Sequence, residues 1–532
     1  MWRRWAAGIL AAVLVAGGML LQPDGSVGSP LTPAPPSLTA FPRDQVVEVS
    51  ISLSDADLAD LYANATQEKE YPADVTWNGR LIQQVAVRAK GNSSLSSVAR
   101  SSTQRYSLKL DLDKFVDGQS LNGVGTVNLN NGFSDASYIR EMLSYEAFAS
   151  LGVPTPATTW VNLTVNGERK GLFLAVEQIG QPYLERYFAD GNGDLYKPAN
   201  QLGSGADLKW YGDSMEHYTG VVYKTKDKKT DHRPLLDMLN ALNNGGDLEQ
   251  HLDVNGILKY FAASTVMANF DSYQGSMLHN YYLYEQNGRF TVLPWDLNMS
   301  FAGFGMGGTP TQMVEGKIDE PTMGALADRP LIARLLAVPE YLERYHGYVR
   351  QLVEGYLDPD TFEQRARAVT ALIDPHVKAD PTRFVTYEQF RAALDQELGQ
   401  ARGGGSPGGG SSVGLLTFVK ARVANVKQQL NGTLPSKGDG SGMGVSGRGE
   451  FPDGAGGRNR VPQGGMPPAG FDPAQAGRMP MGGEQRPGGA DEPAPIPVSP
   501  WGIQADLMPT LALGALLLLG TTAVLWRSRP RT

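Results

Sequence analysis

Residues 269–298 decide the fold predicted for this chain, and their sequence is NFDSYQGSMLHNYYLYEQNGRFTVLPWDLN. Two runs rich in aromatic and β-branched residues flank Asn287 and Gly288 in this stretch. Asn and Gly tolerate the positive φ angles that tight hairpin turns demand, so the pattern predicts a β-hairpin. A hairpin brings its two ends together, and the polar residues at those ends are therefore expected to meet.

Oxygen-bearing side chains stand at both ends of the predicted hairpin. Asp271 and Asn280 precede its first strand, and Asp296 follows its second strand. Hard oxygen ligands suit Mg²⁺ or Mn²⁺, and a protein-held Mg²⁺ usually brings a phosphate with it. The order acid, amide, strand, turn, strand, acid is also the order of the catalytic half of a protein kinase. We therefore predict Asp271 as a base, and Asp296 and Asn280 as metal ligands.

The same stretch resembles the CotH kinase family, the atypical protein kinases of the spore coat protein H type. Members of that family share Asn-aromatic-Asp, Asn-Tyr-Tyr-Leu-Tyr and Pro-Trp-Asp blocks, which here are residues 269–271, 280–284 and 294–296. The resemblance covers most of the chain from about Val46 to Phe304, and more weakly to about Leu430.

The resemblance implies an α+β fold of the atypical protein-kinase type with two lobes. A β-rich N-lobe is expected at residues 43–200, and an α-rich C-lobe that contains the hairpin at residues 201–434. The implied activity is transfer of the γ-phosphate of ATP, with Mg²⁺ or Mn²⁺, to Ser or Thr residues of secreted or cell-surface proteins.

Composition bounds these expectations. The chain has 532 residues with 41% hydrophobic content, which is enough for a large core. Its formal net charge of −8 argues against general nucleic-acid binding, which needs a net basic footprint. It has 0 cysteines, so disulfides, thiolate metal sites, a cysteine nucleophile and a lipid-modified cysteine are excluded.

The N-terminus predicts export. Residues 1–22 combine a basic start with an apolar run, which is typical of either a cleaved secretory signal or an uncleaved membrane anchor. Residues 23–42 are rich in Pro, Ser and Gly and are predicted to be a linker. Such a linker would separate the apolar run from any core, which disfavours a buried helix.

The C-terminus predicts membrane attachment. Residues 508–526 are free of charge and mostly apolar, which predicts a transmembrane helix at 506–526. The basic residues of 527–532 predict a cytoplasmic tail by the positive-inside rule. Residues 435–505 are rich in Gly and Pro and are predicted to be a disordered tether. The kinase-like domain is therefore expected at the cell membrane, on its extracytoplasmic side.

A Gly/Ser-rich loop is predicted after the second strand of an early hairpin. Such a loop can wrap a phosphate with backbone N–H groups, while a lysine adds charge. The alternative is ordinary turn chemistry, because Gly, Asn and Ser are common in turns. The CotH-like family has a Gly-Asn-Ser-Ser loop here, and this resemblance favours contact with nucleotide phosphates. The loop residues are Lys90, Gly91, Asn92, Ser93 and Ser94.

Lys109 is the first candidate for a phosphate-binding lysine. It lies in an alternating strand, residues 105–112, where a lysine is costly unless it meets an anion or faces solvent. A helix is predicted at about residues 136–150, with Glu141 near its start. Glu141 either pairs with Lys109, as in the order of elements of a kinase, or complements the helix dipole.

Two further residues are assigned to nucleotide binding by their place in a kinase-like order. Residues 160–177 predict a second hairpin, whose end at Glu177 would lead into the segment that contacts adenine. Lys197 follows in another apolar stretch and is a second candidate for the phosphate lysine. From residue 231 onward, the apolar spacing predicts helices.

Departures from ordinary kinases keep other functions open. No His-Arg pair precedes Asp271, and Asp296 is followed by Leu-Asn rather than Phe-Gly. Kinase-like folds that transfer AMP or activate a glutamate for ligation are therefore alternatives. A non-catalytic surface scaffold is another, because ATP is scarce outside the membrane. A glycosidase that uses Asp271 and Asp296 is a weaker interpretation, since Lys109 and the Gly/Ser loop would then have no role.

Overall fold

The computed structural model describes six stretches of the chain: residues 38–188, 191–199, 203–225, 229–304, 308–398 and 413–443. All of them belong to the first of two compact units, Met1–Phe451. The predicted segments 1–22, 506–526 and 527–532 lie outside the described residues. Within the described stretches, no helix has the length and apolar character that crossing a membrane requires.

The N-terminal region is a closed seven-stranded barrel. Its strands follow the order β1-β2-β3-β4-β5-β7-β6, and parallel pairing of β1 with β6 closes it. Alternate residues of each strand fill the interior, so that Leu108 and Leu110 point inward while Lys109 between them lies on the outer face. The strands are β1 (Val46–Ser52), β2 (Tyr71–Trp77), β3 (Arg80–Lys90), β4 (Ser107–Asp111), β5 (Thr126–Asn130), β6 (Thr158–Val165) and β7 (Glu168–Glu177).

A second, four-stranded sheet contains the predicted hairpin. Its order is β11-β10-β8-β9, made of β8 (Asp194–Pro198), β9 (Val221–Tyr223), β10 (Tyr281–Gln286) and β11 (Arg289–Pro294). Asn287 and Gly288 connect β10 to β11 with φ angles of 55° and 79°, as the sequence predicted. Because β8 pairs with β10, a lobe boundary at residue 200 would place two paired strands of one sheet in different lobes.

Helices dominate the C-terminal region, so the chain has a mixed α+β fold. The helices are α1 (Asp55–Ala63), α2 (Ser93–Ala99), α3 (Arg140–Ser150), α4 (Gln181–Tyr187), α5 (Arg233–Asn244), α6 (Leu248–His251), α7 (Val254–Val266), α8 (Pro310–Glu315), α9 (Pro330–Leu336), α10 (Pro339–Glu354), α11 (Pro359–Lys378), α12 (Tyr387–Ala392) and α13 (Leu415–Leu430). A large apolar core joins the helices of the C-terminal region to α3 and the second sheet, whereas α1 and α2 pack against the barrel core.

Local contacts set the boundaries of two helices. Helix α3 begins at Arg140 rather than near residue 136, because Asp135 binds the backbone N–H of Ser137 and Tyr138 has a φ of 65°. Helix α11 continues through Pro375 to Lys378, where burial of Val377 outweighs the hydrogen bond that proline removes.

Both predicted flexible segments begin or end inside the folded unit. At the end of the predicted linker, Phe41 is buried and its ring packs 5.6 Å from that of Trp77. At the start of the predicted tether, the backbone N–H of Asp319 donates to Ser436, and Glu320 accepts from the backbone of Gly440. Polar anchors thus hold a Gly-rich stretch that composition alone predicts to be disordered.

Candidate functional site

A cavity of about 1280 Å³ brings together the residues that the sequence singled out. Its wall combines the outer face of the barrel, the face of β8 and the two ends of the β10–β11 hairpin. The volume exceeds the roughly 300–1,000 Å³ of a usual small-molecule pocket. The predicted residues on its wall are Lys90, Gly91, Asn92, Ser93, Ser94, Lys109, Glu141, Glu177, Lys197, Asp271, Asn280 and Asp296.

Asp271 lies at the entry to the hairpin with both carboxylate oxygens engaged. The side-chain amide of Asn280 donates to Oδ2 of Asp271 at 3.1 Å, and Nε2 of His279 lies 2.6 Å from Oδ1. Asn280 and Asp296 both have left-handed backbones, with φ angles of 58° and 56°. Such angles are uncommon outside glycine, although Asn and Asp adopt them more readily than most residues. These two kinks lie just outside the ends of β10 and β11, at the cavity wall.

Helix α3 contributes to the exit side of the hairpin. The hydroxyl of Tyr145 accepts a hydrogen bond from the backbone N–H of Asp296 at 3.2 Å. Two residues further on, the amide of Asn298 donates to the carbonyl of Phe133 at 2.9 Å. The exit of β11 is therefore held against the segment that leads into α3, and against Tyr145, which lies one helical turn after Glu141.

Lys90 and Glu141 share the side chain of Asn130 at the end of β5. The ammonium of Lys90 donates to Oδ1 of Asn130 at 2.8 Å, and Nδ2 of the same amide donates to Glu141 at 2.9 Å. The sequence leaves Glu141 as a partner of Lys109 or of the helix dipole, and the pairing with Lys109 stays a prediction. The structure adds a cation one strand further, Lys90, whose charge acts on Glu141. Register decides this, because β3 ends with Lys90 beside the helix.

Burial and charge perturb this cluster. Burial and the nearby charge of Asp296 raise the pKa of Glu141 to about 7, against the opposing effects of Asn130 and Lys90. Burial lowers the pKa of Lys90, while Asp296 and Glu141 act to raise it. One carboxylate oxygen of Glu141, Oε1, is buried without a hydrogen-bond partner. The cluster is therefore only partly compensated by the protein itself.

Lys109 lies on the same wall of the cavity. It pairs in register with Arg88 on β3 and with Asn128 on β5, and its side chain belongs to the outer face of the barrel. Arg88 forms an ion pair with Glu68. Lys109 is therefore positioned to contact a ligand in the cavity, but from a neighbouring strand.

Lys197 approaches from the second sheet. Its ammonium lies 5.3 Å from the ring centre of Tyr282 and 5.8 Å from that of Trp295. Burial lowers its pKa, and Asp296 acts in the opposite direction. The charges of Lys90 and Lys197 thus both interact with Asp296, although the two lysines belong to different sheets.

The predicted Gly/Ser loop is mostly not a loop. Lys90 ends β3, Gly91 and Asn92 form a short link, and Ser93 and Ser94 begin helix α2. Gly91 has a φ of 130°, and a Cβ atom there would lie 2.7 Å from Oγ of Ser94. Glycine is therefore required at this link.

Glu177 ends β7 with one carboxylate oxygen, Oε2, engaged, while its buried Oε1 has no hydrogen-bond partner. It forms an ion pair with Arg186 of α4 and accepts a hydrogen bond from the backbone N–H of Ala157 at 3.1 Å. Burial raises its pKa, and Arg186 opposes this change. Glu177 lines the cavity, and its contacts anchor α4 to the barrel. Its place before a segment that contacts adenine stays a prediction.

Two residues of this site were not predicted as functional. His279 stands directly before Asn280 in the quoted stretch, and Asn130 stands in the Asn-rich run after β5 begins. Their roles depend on contacts that only the folded structure shows. Their place within these polar runs was therefore the available sequence signal. Across the six described stretches, no group of three or more His, Cys, Asp or Glu side chains is arranged as a metal site.

The chain is similar to spore coat and invasin proteins. The sequence pattern of the family described as CotH kinase protein matches residues 87–402, more than half of the chain. Inner spore coat protein H of Bacillus subtilis is 25% identical over 290 residues, covering 52% of this chain and 75% of that protein. Invasin CotH2 of Rhizopus delemar is 22% identical over 360 residues, covering 60% of this chain and 58% of that protein. This chain therefore belongs to the CotH kinase protein family.

Proposed function

We propose that this protein is an atypical protein kinase that transfers the γ-phosphate of ATP to Ser or Thr residues. The supporting observation is the meeting of Lys90, Glu141, Asp271, Asn280 and Asp296 at one cavity. In this interpretation the fold is a kinase-like pair of lobes. The barrel region supplies the lysine and the helical glutamate, and the helical region with the hairpin supplies the two aspartates.

The residues present fit a Mg²⁺ ion. Mg²⁺ is usually held by one or two carboxylates together with substrate phosphates and water, so a cluster of three protein acids is not required. Asp296 and Asn280 would hold it, and the buried Oε1 of Glu141 without a partner marks charge that the protein leaves uncompensated. When bound, the ion would neutralise charge on the transferred phosphate.

The other side chains have distinct roles in this proposal. Lys90 and Lys197 bind the phosphates, and Glu141 orients Lys90 through Asn130. Asp271 accepts the proton of the acceptor hydroxyl. The acceptor oxygen forms a bond to the γ-phosphorus as the bond from that phosphorus to the ADP oxygen breaks, and ADP leaves.

The acceptor class follows from the relatives and from the sequence. The relatives are named as an inner spore coat protein and an invasin. Together with the export and anchor signals predicted at the two ends of this chain, they favour exported or cell-surface protein acceptors. We propose an outer location for the catalytic region.

Labelled nucleotides test this proposal on the full-length protein. We expect label from γ-labelled ATP, with Mg²⁺ or Mn²⁺, to appear on the protein itself or on dephosphorylated casein, and label from α-labelled ATP not to appear. Asp296→Asn should lower the transfer by about 10²- to 10³-fold. The matched control is Asp237→Asn, which removes an exposed partner of Arg233 on α5.

Other labelling patterns would replace the proposal. Transfer of the α-label would indicate an AMP transferase, and ATP-dependent incorporation of labelled glutamate would indicate a ligase. Metal-dependent ATP binding without any transfer, across several acceptors, would indicate a binding scaffold. Equal transfer by wild type and Asp296→Asn would contradict the assigned metal ligand.

A further inference from the structure

His279 contacts Asp271, the residue proposed as the base, and follows it in the sequence. In ordinary kinases a His-Arg pair precedes the base. No His-Arg pair precedes Asp271, but the chain returns eight residues later and places Nε2 of His279 2.6 Å from Oδ1 of Asp271. Both side chains are mostly buried, with exposures of 18% and 13%. Both residues line the cavity.

The backbone around His279 is built for this contact. Leu278 and Asn280 flank it, and both have left-handed backbones with φ angles of 52° and 58°. A left-handed leucine is uncommon and strained, and such strain persists only where surrounding packing enforces it. Leu278 is buried at 8% exposure, so its side chain supplies that packing. The two kinks direct neighbouring side chains, His279 and Asn280, to the two oxygens of one carboxylate.

We propose that His279 is a positioning residue for Asp271, an inference that rests on the proposed kinase function. An ionised carboxylate only accepts hydrogen bonds, so the imidazole donates through Nε2. With Oδ1 held by His279 and Oδ2 by Asn280, the plane of the carboxylate is fixed. Each oxygen keeps further lone-pair capacity, which is what an acceptor hydroxyl needs.

The chain contains a closely matched pair for comparison. Nε2 of His346 lies 2.6 Å from Oδ1 of Asp319, and the hydroxyl of Ser436 donates to Oδ2 of Asp319 at 2.6 Å. This aspartate, like Asp271, therefore receives a histidine on one oxygen and a neutral donor on the other. Neither His346 nor Asp319 belongs to the wall of the cavity. Substitution in this pair shows what loss of a His–Asp contact does away from the cavity. It therefore distinguishes that loss from a loss of positioning at the site.

Three variants of the full-length protein test the inference. His279→Leu removes the donor, His279→Gln keeps a side-chain N–H, and His346→Leu removes the donor of the matched pair. We expect His279→Leu to lower kcat for γ-phosphate transfer by about 10- to 100-fold, because small misplacements of a catalytic group have effects of that size. The KM for ATP should change less than about threefold, since Asp271 does not hold the nucleotide.

The other variants determine whether the effect is one of positioning. His279→Gln should recover at least half of the lost factor on a logarithmic scale, and His346→Leu should leave kcat unchanged. An unchanged kcat in His279→Leu, or no recovery in His279→Gln at an unaltered melting temperature, would overturn the inference. A matching fall in melting temperature and kcat for both leucine variants would also overturn it, in favour of a structural role. Failure of the proposed function is distinguishable, because wild type itself would then transfer no γ-label.

Discussion

Two buried charged clusters in this fold differ in how completely the protein compensates them. Arg105 is fully buried between the barrel and the end of α11, and its guanidinium donates to the carboxylate of Asp380 at 2.8 Å. Its other donors reach further acceptors on both sides, which are the carbonyls of Asn131, Lys170 and Leu172 and the hydroxyl of Thr382.

The cluster at the cavity is the opposite case. Lys90 and Glu141 are joined only through Asn130, Oε1 of Glu141 has no hydrogen-bond partner, and the pKa values of both charged residues are shifted. Removing one partner of a buried, hydrogen-bonded ion pair destabilises the fold strongly, because it leaves an uncompensated buried charge. A charge left partly compensated in a cavity is typical of a site that a ligand completes.

The largest expected effect lies in the structural cluster. Arg105→Met leaves the carboxylate of Asp380 buried beside carbonyl groups that lose their donor, so we expect the free energy of unfolding to fall by about 3–5 kcal/mol. Chemical denaturation measures this. Arg80→Met, at an exposed position at the start of β3, is the control and should change stability little. A loss below about 1 kcal/mol for Arg105→Met would show that the two clusters do not differ as described.

The next effect lies at the cavity and is kinetic. Asp296→Asn keeps the left-handed backbone, which Asn adopts readily, but removes the metal-binding charge. We expect kcat/KM for γ-phosphate transfer to fall by about 10²- to 10³-fold, while the free energy of unfolding changes by less than about 1 kcal/mol. Parallel losses of activity and stability would indicate instead that Asp296 serves the fold as Arg105 does.

The sequence predicted those parts of the site that depend on local chemistry. The β10–β11 hairpin follows from two strand-forming runs and an Asn-Gly turn, and the meeting of Asp271, Asn280 and Asp296 at the cavity follows from the hairpin. The helices of the C-terminal region likewise followed from the apolar spacing from residue 231 onward, whereas the α+β fold class was implied by the family resemblance. Such features depend on neighbours within a few residues, which periodicity reports well.

Contacts between distant segments were beyond the same reasoning. Whether Lys90 or Lys109 faces Glu141 depends on how β3 and β4 are aligned around a closed barrel, and closure itself rests on pairing of β1 with β6. Arg105 and Asp380 are 275 residues apart, and no local pattern connects them. Helix α2 was taken for a loop because its Ser-rich start is also typical of turns.

Substitution of Lys90 and of Lys109 tests which cation at the cavity is the main phosphate-binding lysine. Lys90→Met should lower kcat/KM by about 10- to 100-fold, because it removes the cation that lies with Glu141 and Asp296. Lys109→Met removes a cation from the adjoining strand and should lower it less than about tenfold. Steady-state kinetics with γ-labelled ATP checks both. The reverse order of effects would restore Lys109 as the main phosphate lysine.

The smallest expected effect belongs to Lys197, whose ammonium faces two aromatic rings rather than a carboxylate partner. In Lys197→Met, the flexible thioether keeps contact with the rings of Tyr282 and Trp295, so the wall should stay packed. We expect KM for ATP to rise about three- to tenfold with kcat nearly unchanged, since a cation–π contact is weaker than a charge pair. Lys259→Met is the control, because the ammonium of Lys259 also lies over an aromatic ring, 5.4 Å from the ring centre of Tyr348, and does not line the cavity.

The kinetic effect of Lys197→Met relative to that of Lys90→Met tests whether incomplete compensation of charge marks the functional cluster. Both lysines are buried in the same cavity and both lie in the field of Asp296, but Lys90 alone also acts on Glu141. A larger effect at Lys90 would mean that the incompletely compensated pair sets the position of the phosphate. Equal losses at both lysines would mean that depth in the cavity is sufficient, and that Glu141 is buried there for the packing of α3.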